Sequence, residues 1–177
     1  MSKEKSIYYF GYGSNMSLGY IQNRRGVFPT QSLPGRLKGY RLIMNMEGPA
    51  FIEPSFANIT PDKNDEVEGV IHLISKTELI KIINTEGENY EVTDITIKTA
   101  EGNKRAKTLI YTTANGIDIP PSRRYMKILI KAANDSGLSK EYIKRLESRP
   151  SVYYPVLSEI YAIRVLYWVW SRSRLKI

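Results

Sequence analysis

Two short stretches of this chain carry groups suited to chemistry. One is Tyr9-Phe10-Gly11-Tyr12-Gly13-Ser14-Asn15; the other is Glu86, followed by Gly87. In the first, an apolar run at 7–10 breaks into a Gly-x-Gly-Ser-Asn turn. Gly11 and Gly13 can take φ > 0 at little cost, and Asn15 tolerates the left-handed region better than most residues. Successive N–H groups in such a turn can face one concavity and hold an anionic oxygen. Tyr9 and Tyr12 could wall that concavity and make a small-molecule pocket that grips a carboxylate; geometry alone equally allows a plain tight turn after a strand.

Other chemistries fit the residue inventory poorly. A dinucleotide fingerprint would need Gly at position 16, where the chain has Met16, and no Gly-Lys-Ser/Thr follows to make a phosphate loop. Ser14 lies outside any Gly-x-Ser-x-Gly elbow. There is no cysteine and one histidine, His72, so a zinc site is not expected. His72 sits inside an apolar strand, where a satisfied core histidine is the ordinary outcome. Carboxylate acid–base chemistry and tyrosine hydrogen bonds remain.

Glu86 is the best placed carboxylate. It closes a helix announced by Ser75-Lys76-Thr77-Glu78, a capping box, and carried by Leu79, Ile80, Ile82 and Ile83. An acid at a helix C-terminus faces the negative end of the dipole, and partial burial acts in the same direction; both favour the protonated form. Such a group can accept a proton and return it. Position alone also allows Glu86, Glu88 and Glu91 to be solvated surface acids.

These groups must be held by a scaffold, and the chain supplies one. Strands are expected at 7–10, 40–45, 56–60, 66–75, 90–98 and 106–113, with a hairpin turn at 101–103. Pro120-Pro121-Ser122 stops the chain before a helix over 125–134 that Gly137 terminates, and Ser139 caps a short helix over 140–146. Strands outnumber helices in the first two thirds, which favours a mixed or antiparallel sheet closed into a small barrel. With 177 residues, 42% apolar and 25% charged, the chain suits one soluble domain. A charged start, Met-Ser-Lys-Glu-Lys, and the lack of cysteine suggest a cytoplasmic address.

The formal net charge of +8 raises nucleic acid or an anionic membrane as partners. The basic residues are dispersed, however, and the local groups Arg123, Arg124, Lys127, Lys131 and Arg172, Arg174, Lys176 carry no base-reading motif; a solvated basic surface is expected, with no nucleic-acid partner. Residues 156–170 are apolar and aromatic but include Glu159 and Arg164 and are too short for a span. A last helix docked on the core or on a second subunit is expected there, so a homodimer through it is one outcome. Peripheral membrane contact by its basic end is another.

The string Tyr-x-Gly-Tyr-Gly-Ser-Asn resembles the opening of the γ-glutamylcyclotransferase family. Further likenesses follow in order: Gly69-Val70-Ile71, then Glu86-Gly87, then Thr108-Leu109-Ile110-Tyr111-Thr112-Thr113, then Pro120-Pro121-Ser122-Arg123-Arg124-Tyr125, then Gly137-Leu138 with Glu141-Tyr142. They cover most of residues 8–147; residues 151–177 have no such counterpart. The resemblance implies an α+β fold, a small mixed β-barrel with flanking helices, as a single domain over 1–177 with a C-terminal helical extension at 151–177. It implies that the α-amine of a γ-glutamyl substrate attacks its own γ-carbonyl, giving 5-oxoproline and a free amine. Glu86 would be the general acid/base, and Tyr9, Phe10, Gly11, Tyr12, Gly13, Ser14, Asn15 and Tyr111 would bind substrate. No metal or cofactor is implied. The alternative is the same fold used as a non-catalytic binding or interaction protein.

Overall fold

The structure is a computed structural model and describes residues 6–50, 52–86, 89–113 and 116–153. Five strands, β1 (Ser6–Gly11), β2 (Gln31–Glu47), β3 (Ser55–Ser75), β4 (Tyr90–Thr99) and β5 (Gly102–Tyr111), close into a barrel in the order β1-β3-β2-β4-β5. Closure is made by a parallel contact of β1 with β5 at Tyr9 and Lys107; the other pairings are antiparallel. The expected mixed barrel is therefore the observed architecture.

The strands differ from the sequence reading in length. The expected segments 56–60 and 66–75 are one strand, β3, and 40–45 is only the second half of β2. The polar run Asp62-Lys63-Asn64-Asp65 resembles a loop, and the chain accommodates it by a bulge. Pairing jumps from Lys38 opposite Glu66 to Tyr40 opposite Pro61, with Gly39 between at φ +80°. The first half of β2 contains Pro34 and Gly35, both poor strand formers, yet they pair with Val70 and Gly69. The turn between β4 and β5 sits where expected, with Gly102 at φ +96°.

Among the described residues four helices flank the barrel: α1 (Leu18–Arg25), α2 (Lys76–Glu86), α3 (Arg123–Asp135) and α4 (Lys140–Glu147). The capping box of α2 is formed both ways: Glu78 N–H donates to Ser75 Oγ at 3.2 Å, and Ser75 N–H donates to Glu78 Oε2 at 2.9 Å. Ser122 and Ser139 cap α3 and α4 by accepting from Tyr125 and Tyr142 N–H. Helix α1 was not expected. Ser17 caps it, accepting from Tyr20 N–H, and Gly26 at φ +62° ends it.

Two groups of buried side chains position the site. Phe10, Met16, Leu37, Val67, Ile97, Leu129 and their neighbours fill the barrel and the face under α3 and α4. A second group, including Tyr9, Ile21, Val27, Ile74, Leu79, Ile82 and Leu109, fixes α1 and α2 against β1. Replacing the fully buried Ile82 by Ala should cost about 2–5 kcal/mol, so α2 is firmly seated. Its C-terminus, and with it Glu86, is thereby set beside the end of β1. The expected helix at 156–170 lies outside the described residues, and no helix among the described residues is long and apolar enough to cross a membrane.

Candidate active site

Strand β1 ends at Gly11, and the chain turns tightly into a 3-10 turn, Ser14–Met16. Met16 N–H donates to Gly13 O at 3.0 Å and Ser17 N–H to Ser14 O at 3.1 Å. This differs from the expected left-handed turn. Gly13 has φ −106°, and no non-glycine residue among those described has positive φ, so neither Gly11, Gly13 nor Asn15 occupies the left-handed region. The requirement at Gly11 is space instead. A Cβ there would lie 2.7 Å from Asn15 O and 2.8 Å from Asn15 C, whereas one on Gly13 would meet nothing closer than Tyr125 Oη at 3.4 Å. The turn folds back on Gly11, and that close approach puts the Asn15 side chain beside α2.

Asn15 Nδ2 donates to Glu86 Oε1 at 2.8 Å and to Tyr9 Oη at 3.0 Å. The same Glu86 oxygen accepts from Arg25 Nη2 at 2.5 Å. Arg25 also donates from Nη1 to the Thr85 carbonyl at 2.9 Å, so it satisfies a terminal carbonyl of α2. Glu86 Oε1 is thus held twice. Oε2 has no partner among the described residues, and it is not one of the enclosed unpartnered atoms, which are Asn15 Oδ1, Arg25 Nε and Tyr142 Oη. The sequence reading had only dipole and burial acting on Glu86. The structure adds Arg25, a cation in direct contact with the carboxylate.

Glu86, Asn15, Tyr9 and Arg25 line one cavity of about 390 Å³. Tyr12, Gly13 and Ser14 from the loop line it as well, with Tyr90, Tyr125, Tyr20, Phe56, Met46, Arg24 and Arg124 on the other sides. The volume lies in the range of small-molecule sites, and polar groups converge on one wall. Three expected residues are placed elsewhere. Phe10 is fully buried in the barrel core, Gly11 packs under Asn15, and Tyr111 stands behind Tyr90, ring centroids 5.5 Å apart, without lining the cavity.

The cavity tyrosines are locked as neutral donors. Burial first, and the Glu86 charge second, push the Tyr9 and Tyr90 hydroxyls well above their ordinary range. Burial does the same to Tyr12 and Tyr125. Tyr12 Oη donates to Leu109 O at 2.5 Å, and Tyr125 Oη accepts from Ala57 N–H at 3.2 Å. None of these phenols can act as a base near neutral pH; among the acidic side chains, Glu86 lines the cavity.

His72 supports the loop from below. Its Nε2 lies 2.9 Å from Asn15 O and its Nδ1 2.8 Å from Ser32 Oγ. A carbonyl only accepts, so Nε2 carries the proton and Nδ1 accepts from the serine. Burial lowers the His72 pKa to about 4, with the Asn15 carbonyl partly offsetting it. The expectation of a satisfied core histidine holds. Among the described residues, no three of His, Cys, Asp and Glu gather where they could hold a metal ion.

Arg25, Tyr90, Tyr125 and Arg124 were not anticipated as lining residues. The Pro-Pro-Ser-x-x-Tyr string carries Tyr125 and was a signal for it. Arg25 had only one: a basic residue in the last turn before a C-capping glycine.

A model of the AIG2-like family matches residues 66–146. The γ-glutamylcyclotransferase of Bos taurus is 31% identical over 164 residues, an overlap of 88% of this chain and 85% of that protein. The Homo sapiens γ-glutamylcyclotransferase is 31% identical over 165 residues, covering 88% of this chain and 86% of its own. A solved γ-glutamyl cyclotransferase structure superposes with a TM-score of 0.75 at 26% identity, covering 85% of this chain and 92% of that one. Likeness of sequence over nearly the whole of both chains, joined to the same barrel, settles the relationship: this chain belongs to the γ-glutamylcyclotransferase family.

Proposed function

We propose that this γ-glutamylcyclotransferase works through Glu86 as its proton carrier, in the cavity closed by the Tyr12–Asn15 loop. The observation that carries the reading is the asymmetry of the carboxylate: Oε1 is anchored by Asn15 and Arg25, while Oε2 is left to whatever fills the cavity.

The reaction needs little else. The α-ammonium of a γ-glutamyl group gives a proton to Glu86, and the freed lone pair attacks the γ-carbonyl carbon of the same molecule. The resulting oxyanion is stabilised by N–H groups of the loop and the neutral phenols nearby. The bond to the leaving nitrogen then breaks as Glu86 returns the proton to it. A second proton passes from the ring nitrogen to the leaving amine, so the products are 5-oxoproline and an ammonium, and charge balances. An enclosed cavity contributes by holding amine and carbonyl close together.

The alternative of a non-catalytic binding module has no structural feature in its favour. A binder does not require an acid with an open oxygen at the wall of its cavity. The test is incubation of the purified chain with a panel of γ-glutamyl compounds, reading 5-oxoproline. Release of 5-oxoproline by the wild type and not by Glu86→Gln is the expected result. Equal release by both would remove Glu86 from the mechanism.

A further inference from the structure

Arg25 is engaged more closely with Glu86 than a proton carrier requires. Its side chain is only 12% exposed, and its Nη2 is the donor 2.5 Å from Oε1. Nη1 is tied to Thr85 O, which fixes the plane of the guanidinium. The Tyr20 ring packs on it, 5.8 Å from centroid to Cζ. The Nε is enclosed and has no partner among the described residues. The edge formed by Nε and Nη2 is the fork that carboxylates take in bidentate pairs. Glu86 holds the Nη2 prong of that edge and Nε is shut away from the cavity, so Nη2 is the prong a second carboxylate can share or take over.

A γ-glutamyl group carries an ammonium and a carboxylate on one carbon. The Glu86–Arg25 pair is the charge complement of that arrangement, an anion beside a cation on one wall of the cavity. We infer that Arg25 binds the α-carboxylate of the substrate, exchanging its bond to Glu86 for that carboxylate while the substrate ammonium takes Glu86. This rests on the reading of Glu86 as proton carrier.

The exchange replaces one ion pair by two and strands no charge in the cavity, the usual penalty for breaking a buried pair. It also frees the loop N–H groups for the developing oxyanion alone. The carboxylate then serves as more than a handle: held on Arg25, it sets the substrate ammonium against Glu86. A compound without it leaves Arg25 on Glu86.

The test is a four-cornered cycle on the full chain. Wild type and Arg25→Gln are each titrated with L-glutamine, the smallest γ-glutamyl amide, and with 4-aminobutanamide, which is L-glutamine without its α-carboxylate. In the wild type, removing the carboxylate should weaken binding roughly 10- to 100-fold, as for loss of a charged hydrogen-bonded pair. In Arg25→Gln the two probes should bind alike, and Arg25→Lys should recover part of the difference. Release of 5-oxoproline from γ-glutamyl compounds is followed in parallel. If the wild type releases it and Arg25→Gln still discriminates between the probes as the wild type does, the inference is overturned and the function stands. If the wild type neither binds L-glutamine nor releases 5-oxoproline, both readings fall. Should Arg25→Gln not fold, Arg25→Lys decides, because the ratio of the two probes is read within one protein.

Discussion

Glu53 and Glu68 are buried more deeply than Glu86, with side chains 6%, 7% and 15% exposed. All three are paired with an arginine. The difference lies in the oxygens. Glu53 accepts from Ser122 Oγ on Oε2 and from Arg124 Nε on Oε1. Glu68 accepts from Ser139 N–H at 2.8 Å and Oγ at 2.7 Å, one on each oxygen, with Arg36 adding a third contact at 3.2 Å. Both acids hold the capping serine of a helix, Glu53 from the connection before β3 binding Ser122 of α3 and Glu68 on β3 binding Ser139 of α4, and a negative charge there also suits the dipole. Glu86 has one oxygen held twice and the other open to the cavity. On the reading proposed above, depth of burial does not mark the reacting acid; an unengaged lone pair on a fixed carboxylate does.

The sharpest way to break this comparison is to convert each acid to its amide. Glu86→Gln keeps the shape and can still accept from Asn15 and Arg25, but it cannot carry a proton. Turnover should fall about 10²–10⁴-fold with little change in melting temperature. Glu68→Gln should behave in the opposite way. Its hydrogen bonds lose charge, lowering stability by about 1–3 kcal/mol, while the rate of 5-oxoproline release stays near that of wild type. The comparison collapses if Glu68→Gln loses activity at full stability, or if Glu86→Gln keeps it.

A second contrast sets His72 against the cavity phenols. Burial holds all of them uncharged, but only the histidine titrates within reach of ordinary pH. Its folded value of about 4 lies below the ordinary 6.5 of the unfolded chain, so the unfolded state takes up the proton first. Stability is complete above pH 6.5 and falls as pH drops toward about 4, by about 3 kcal/mol at most. Chemical denaturation across this window should show a pH slope in the wild type that His72→Gln lacks. Identical slopes in the two proteins would mean that His72 takes up its proton at the same pH folded and unfolded, so that burial does not depress it.

Much of this was legible in the residues, and the rest was hidden for definable reasons. Caps and turn residues act locally, so Ser75, Ser122, Ser139 and Gly137 marked helix ends that the structure has. The Tyr9–Asn15 loop and Glu86 do meet, although 71 positions apart, because the family resemblance supplied what local spacing could not. Helix α1 was invisible because Leu18-Gly19-Tyr20-Ile21-Gln22-Asn23-Arg24-Arg25 has one buried residue, Ile21, and hence no apolar stripe. Losing α1 meant losing Arg25. Pro34 and Gly35 likewise argued against the first half of β2, where pairing to both neighbours overrode local preference. The glycine loop was found for the wrong reason: its glycines were assigned positive φ, when the need is close approach at Gly11.

That last point separates Gly11 from Gly13, two glycines with only Tyr12 between them. A methyl group on Gly11 would press on the Asn15 backbone at 2.7 Å and 2.8 Å, and backbone has little room to yield. Gly11→Ala should lose about 1–3 kcal/mol as an overpacked site and, by moving Asn15 off Glu86, also lower kcat. Gly13→Ala is the smallest effect expected. Its φ of −106° is not in the left-handed region, and the nearest atoms, Tyr125 Oη at 3.4 Å and Ala57 Cβ at 3.5 Å, are at ordinary contact distance. Stability should stay within about 0.5 kcal/mol of wild type. Because Gly13 lines the cavity, a methyl there reaches substrate before it reaches protein, so any change should appear in KM before kcat. A pair of melting curves and a pair of rate measurements decide the matter. If Gly13→Ala proves the more damaging of the two to the fold, the loop is held by the conformation of Gly13 and not by the packing of Asn15 over Gly11.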